Sequence, residues 1–257
     1  MGEDSLRFQY RRNLGIDEGK DGGIMQDLFT PFGELALKLQ RFLPSEGDGA
    51  HDLSHLHRVW GNAKAIHLEE GGDLEALAAA VLLHDCVHVP KDSPLRAKAA
   101  GLAAEQARIA LTVLEWSGDR IGLVAGAIES HSYSAGVRPS SLEGRILQDS
   151  DRLDAIGYIG IARCFYTAGQ MSSSLYDLSE PEAILRTLDD RHFALDHFPK
   201  KLMKLAEGFQ TRTGARLSQE RQQTLLNFYR GFLKEIENRP SPQSMQEQFA
   251  VSAPAKT

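Results

Sequence analysis

The chain is poor in cysteine: only Cys86 and Cys164 occur in 257 residues, and no Cys-x-x-Cys pair exists. That usage excludes a disulfide framework and fits two reduced thiols in a reducing compartment. A His-Glu-x-x-His run is also missing, and with it the simplest grounds for a structural zinc site or a zincin protease. No apolar run approaches the ~20 residues that span a bilayer. The opening Met1-Gly2-Glu3-Asp4 lacks the basic-then-apolar order of a signal peptide. The expected location is therefore the cytoplasm, without membrane contact. Lysine and arginine form no run, and the formal net charge is −6. Phosphate backbones recruit basic patches, so no nucleic-acid surface is expected. A small phosphorylated substrate needs only a few basic groups in a pocket and stays open. Strand-like alternation, internal repeats and a composition break are absent as well.

What is present is helical periodicity. Apolar residues make up 42% and charged residues 25%, ordinary for a globular protein long enough to bury a core. Residues 1–24 are polar and glycine-containing and read as a flexible lead. A first helix is expected over about 25–43, broken by Pro44-Ser45-Glu46-Gly47. His55, Val59, Ala63 and Ile66 share one face of the next, with His57 and His67 off that face. Leu74, Leu77, Ala78, Val81 and Leu82 stripe another, and the stripe runs into Asp85. Further helices are expected over about 95–116, from Gly118 toward His131, and through Leu147, Asp151, Asp154, Tyr158, Ile161 and Phe165 on one continuous face. Residues 168–189 read as a long excursion, either a lid, a dimer contact or an ordered insert. Asp196 and Pro199 suit the start of a helix ending near Leu205. A last helix spans about 217–237, and residues 239–257 read as a disordered tail. The expected fold is all-α and single-domain over residues 25–238.

Four of these helices share one oddity. Each carries an apolar stripe that ends on His55, Asp85, His131 or Asp151, with His84 beside Asp85. A buried charge is costly unless it is paired or coordinates a metal. A lone histidine on an apolar face is usually a satisfied core residue; four such endings argue for convergence on a cation. Mixed nitrogen and oxygen donors suit Mn²⁺, Fe²⁺, Co²⁺ or Ni²⁺, with Zn²⁺ or Mg²⁺ also open.

The segments His55-Leu56-His57-Arg58-Val59, Ala79-Ala80-Val81-Leu82-Leu83-His84-Asp85 and Gln148-Asp149-Ser150-Asp151-Arg152-Leu153-Asp154-Ala155-Ile156-Gly157 resemble the H…HD…D signature of the HD-domain metal-dependent phosphohydrolases. The third is similar to the "DADRLDAIG" stretch of a bacterial subgroup of HD hydrolases, with Ser150 in place of the usual alanine. Pro90-Lys91-Asp92-Ser93-Pro94 and the stretch from Leu188 to Phe198 resemble that subgroup too, and the likeness covers roughly residues 48–235. The resemblance implies an HD-domain helical bundle with one divalent metal ion, Mn²⁺ foremost, held by His55, His84, Asp85 and Asp151. Asp85 would also accept the proton of the attacking water. Lys91, Arg58, Arg96 and His131 are the candidates for binding a phosphorylated substrate, most plausibly a nucleotide. His131 is equally open to a second metal or to capping its helix. Asp52, Asp149 and Asp154 are candidates to orient the ligating histidines, since such histidines give their other N–H to a carboxylate or carbonyl. The implied reaction is hydrolysis of a phosphate ester or anhydride, as a nucleotidase or nucleoside-triphosphate pyrophosphatase. An HD-type di-iron oxygenase and a non-catalytic nucleotide-binding module are the alternatives, and a homodimer is left open.

Overall fold

Pro31 cannot continue a helix, and it divides the first helical stretch in two. α1 runs over Glu18–Leu28 and α2 over Gly33–Gln40, in place of the single helix expected from about 25, and α1 takes in residues 18–24. The computed structural model describes residues 18–44, 53–89, 93, 95–132 and 136–237, with residues 18–22 and Arg96 described by backbone alone. The following helices are α3 (Leu53–Glu70), α4 (Leu74–Leu83), α5 (Ala99–Val113), α6 (Gly118–Glu129), α7 (Leu142–Asp154), α8 (Gly157–Gln170) and α9 (Arg212–Glu237). Among the described residues no strand forms; Ser174 and Phe193 make an isolated bridge. The all-α expectation holds. No helix among the described residues is long and apolar enough to cross a membrane.

The chain gathers into two compact units, one of residues 1–155 and 206–219, the other of 156–205 and 220–257. In the first, α4 is the central element. Every residue from Ala76 to Leu83 is buried, so it reads as apolar on all sides rather than on one stripe. Leu77, Val81, Leu82 and Leu83 each contribute about 1.5–3 kcal/mol by leaving water. Asp73 caps α4 by accepting from the Ala76 N–H, 2.9 Å away. α3 closes at Gly71 and Gly72, whose φ angles of 80° and 101° turn the chain sharply. Ser141 caps α7 through the Gly144 N–H.

The first turn of α9 is also held within this unit. Its N–H groups have no partners inside the helix, and acidic or hydroxyl side chains supply them. Asp149 accepts from Gln210 and Thr211, Thr211 Oγ1 from Gly214, and Glu70 from Thr213. Gly214 is needed here, because a Cβ would lie 2.5 Å from Asp149 Oδ2.

The second unit has its own apolar centre. Phe165 of α8 meets Phe198, Phe228 and Phe232 with ring centroids 5.8–6.0 Å apart, a spacing favoured by aromatic pairs. The expected continuous face from Leu147 to Phe165 does not exist. The helix stops at Asp154 and restarts at Gly157, whose φ of 72° resets the direction, and Tyr158 is 80% exposed. The stretch between α8 and residue 194 is ordered but mostly irregular. Arg186 pins it with two bonds to the buried Asp196 and one to the Glu180 carbonyl. Asp196 therefore serves Arg186 and the Asp189 N–H rather than capping a helix. A wide turn over Phe198–Leu202 leads into a last short turn at Met203–Leu205.

Candidate metal centre

Each helix delivers its polar residue where the apolar stripe ends. α3 carries His55 in its first turn, α4 ends on His84 with Asp85 following, His131 follows α6, and α7 carries Asp151 and Asp154 in its last turn. His55 Nε2 and His84 Nε2 lie 3.3 Å apart. Asp151 Oδ1 is 3.7 Å from His55 Nε2, and Asp85 Oδ2 is 3.5 Å from His84 Nε2. His131 Nε2 is 3.7 Å from Asp85 Oδ1, with its ring centroid 5.0 Å from that of His84.

The outer nitrogens decide what faces inward. His84 Nδ1 lies 2.8 Å from the Val81 carbonyl and His131 Nδ1 2.6 Å from the Ile128 carbonyl. A carbonyl only accepts, so both Nδ1 atoms carry the proton. His55 Nδ1 lies 2.8 Å from Asp154 Oδ2, a carboxylate held by Arg58. A neutral ring with Nδ1–H presents a bare lone pair at Nε2. The Nε2 atoms of His55, His84 and His131 and the carboxylates of Asp85 and Asp151 thus turn toward one another. Imidazole nitrogens and carboxylate oxygens grouped in this way form a donor set that fits a divalent ion. Two overlapping groups of three qualify, His55/His84/Asp151 and His84/Asp85/His131, each with its ligand atoms within 4.8 Å of one another.

Burial pulls the His84 imidazole below its ordinary pKa, ahead of the opposing pull of Asp85. Burial also pulls His131 down, but Asp85 and Asp151 outweigh it and hold that ring above its usual value. The histidines form a closed floor and the carboxylates an open edge. His55 and His84 are each 1% exposed, whereas the side chains of Asp85 and Asp151 are 38% and 31% exposed. Asp85 thus faces the solvent side, not the interior that its place on the α4 stripe suggests; His84 takes the buried position.

The remaining candidates divide. Asp154 sits against His55. Asp149 does not orient a histidine: its carboxylate turns away to Gln210 and Thr211 at the start of α9. Arg58 is engaged with Asp154 through Nε at 2.6 Å and Nη2 at 3.1 Å, with its side chain 29% exposed. Arg152 bonds the Glu207 and Gly208 carbonyls and lies over the Phe209 ring. Asp52, Lys91 and the side chain of Arg96 lie outside the described residues. His57 and His88 are exposed. Sequence reasoning missed Asn62, whose Nδ2 donates to the Ser150 carbonyl at 2.9 Å and ties α3 to α7 behind the centre. Its signal was an amide among the buried positions of α3.

Neither thiol takes part. Cys86 is pushed up to about 12 by burial and then by Asp85, and Cys164 to about 12 by burial and then by Asp190. Thiolates are the reactive form. Both cysteines are therefore expected to resist a disulfide-exchange reagent at neutral pH and to react only after denaturation. Rapid labelling of the folded protein, counted by absorbance, would contradict that.

Comparison with known proteins agrees with this geometry. Residues 52–156, which hold all four helices' contributions to the centre, match the model of the HD domain family. The curated Bacillus subtilis protein YpgQ, itself uncharacterized, is 32% identical over 202 residues, or 77% of this chain and 90% of YpgQ. A crystal structure of YpgQ in complex with ADP superposes with a TM-score of 0.57 at 30% identity, covering 74% of this chain and 91% of that one. A crystal structure of an HD-superfamily hydrolase from Bacillus thuringiensis gives a TM-score of 0.58 at 26% identity, covering 87% and 100%. Converging helices, a histidine–aspartate pair at the end of α4 and similarity over most of its length place this chain in the HD-domain family, among the bacterial HD hydrolases.

Proposed function

We propose that the chain is a metal-dependent phosphohydrolase that cleaves a small phosphate ester or anhydride, with a nucleotide as the favoured substrate. The observation that carries this reading is the pair of overlapping three-residue groups, His55/His84/Asp151 and His84/Asp85/His131, that meet at His84. The ADP bound by YpgQ supports a nucleotide as ligand. His55, His84, Asp85 and Asp151 would hold one divalent ion, for which Mn²⁺ is our choice. When bound, such an ion supplies Lewis acidity and a water of lowered pKa.

The chain's own groups then have distinct tasks. Asp85, on the open side of the centre, accepts a proton from the attacking water. Water adds to phosphorus, the P–O bond to the leaving group breaks, and the electron pair departs with an alkoxide or a phosphate. His131, 3.7 Å from Asp85 Oδ1, steadies that carboxylate. Lys91 and Arg96, which follow the His84-Asp85 pair in the sequence, are assigned to the phosphoryl oxygens, where negative charge builds. The two unpaired cysteines fit a cytoplasmic enzyme.

The test is a panel of nucleoside mono-, di- and triphosphates with Mn²⁺, Mg²⁺, Ni²⁺ and Co²⁺, scored for phosphate or pyrophosphate. Release with at least one metal is expected. A protein shown by elemental analysis to hold a metal, yet inactive on the whole panel, overturns the proposal. One observation favours a second reading. His131 completes a second group of three ligands, as a di-iron oxygenase of the HD type requires. Two irons per chain, with oxygen consumption in place of phosphate release, would establish it.

A further inference from the structure

We infer that Arg58 is a positioning residue that keeps the His55 lone pair aimed at the metal by clamping Asp154. The inference rests on the metal-centre reading above.

Asp154 is 1% exposed, and both of its oxygens accept hydrogen bonds. Oδ1 accepts from Arg58 Nε at 2.6 Å; Oδ2 accepts from Arg58 Nη2 at 3.1 Å and from His55 Nδ1 at 2.8 Å. The fork is itself braced, because Arg58 Nη1 donates to Ser54 Oγ at 3.0 Å. Ser54, His55 and Arg58 lie on adjoining turns of α3, while Asp154 is the last residue of α7. The guanidinium thus reaches across two helices and fixes the carboxylate plane against rotation. That geometry leaves one oxygen lone pair directed at His55 Nδ1.

Two consequences follow from removing the fork. A buried carboxylate stripped of its cation is strongly destabilised, so Asp154 turns toward water and away from His55. The Nδ1 proton then loses its acceptor, and the tautomer bearing its proton on Nε2 becomes accessible. That proton occupies the lone pair that faces His84. A planar fork can do this work and a point charge can do it only in part.

The experiment compares the full-length protein with Arg58→Met and Arg58→Lys, each freed of metal and checked for helical content by circular dichroism. Calorimetric titration with Mn²⁺ should give an affinity about 10–100-fold weaker for Arg58→Met, the usual effect of losing a group that supports a ligand, and an intermediate value for Arg58→Lys. Nitrogen-15 spectra of metal-free Arg58→Met should gain a His55 Nε2–H signal that the parent lacks. Parent-like Mn²⁺ affinity in Arg58→Met overturns the inference. So does a raised KM for the nucleotide at unchanged Mn²⁺ affinity, which would make Arg58 a substrate-binding group. Should Arg58→Met fail to fold, Arg58→Lys decides alone, and parent-like affinity there overturns the inference. A parent that binds no Mn²⁺, Mg²⁺, Ni²⁺ or Co²⁺ overturns the metal-centre reading and this inference with it.

Discussion

His84→Ala is expected to strip the centre of Mn²⁺ and to lower phosphate release by at least about 10³-fold. His84 is shared by both groups of potential ligands, so no metal arrangement survives its loss intact. Lewis-acid stabilisation of developing charge is worth several kcal/mol, and each 1.36 kcal/mol is about tenfold in rate. The metal-free protein should tolerate the change far better. Its Nε2 faces His55 Nε2 at 3.3 Å and Asp85 Oδ2 at 3.5 Å, so trimming the ring relieves repulsion while it forfeits packing and leaves the Val81 carbonyl without its partner. The measurement is thermal unfolding with and without Mn²⁺. A ligand at about 100 times its dissociation constant adds about 2.7 kcal/mol to stability. The parent should show that rise and His84→Ala should not. A variant that keeps both the Mn²⁺-dependent rise and the activity would remove His84 from the centre.

Asp149→Ala should show the opposite pattern: stability falls by about 2–3 kcal/mol while Mn²⁺ affinity stays at the parent value. Asp149 is fully buried and accepts from the Gln210 N–H at 2.9 Å, the Thr211 N–H at 2.7 Å and Thr211 Oγ1 at 2.7 Å. Hydrogen bonds to a charged group are worth about 1.5–3 kcal/mol each. Burial pushes the Asp149 carboxyl above the usual carboxylate range, against those hydrogen bonds, which discounts part of the total. The start of α9 then loses its main acceptor, and the tight fit of Gly214 beneath Asp149 loses its reason. Denaturant titration reads the stability and calorimetry the metal. A loss of Mn²⁺ affinity in the folded variant would return Asp149 to the support of the centre.

Asp149 and Asp154 show how far the sequence can be read. Both are carboxylates close to Asp151 on one helix; residue spacing favours Asp154, which shares a face with Asp151, but leaves Asp149 a candidate. What separates them is the partner each meets: residues 210–211 for one, His55 for the other. Those partners lie many tens of residues away along the chain, where periodicity carries no information. The α3 and α4 stripes were legible because a helix face repeats locally, and His55, Val59, Ala63 and Ile66 are all buried as that rule requires. The rule failed where backbone conformation overrode it. Gly157 breaks the stripe after Asp154, and Pro31 divides the first helix. The second unit was hidden for another reason: its two segments flank residues belonging to the first unit, so no linker marks its edge. The charge of Arg58 makes it a candidate for a substrate phosphate, but its direction depends on a carboxylate 96 positions away.

The contrast between enclosed imidazoles and wetted carboxylates has a kinetic consequence. Ligand exchange at such a centre begins where solvent reaches, beside Asp85 and Asp151, because the nitrogen donors are shut off from water. On the proposed function, loading of an ion, its capture by a chelator and the approach of a phosphorylated substrate would therefore share that side. On the proposed reaction, product phosphate held there would slow both turnover and loss of the ion.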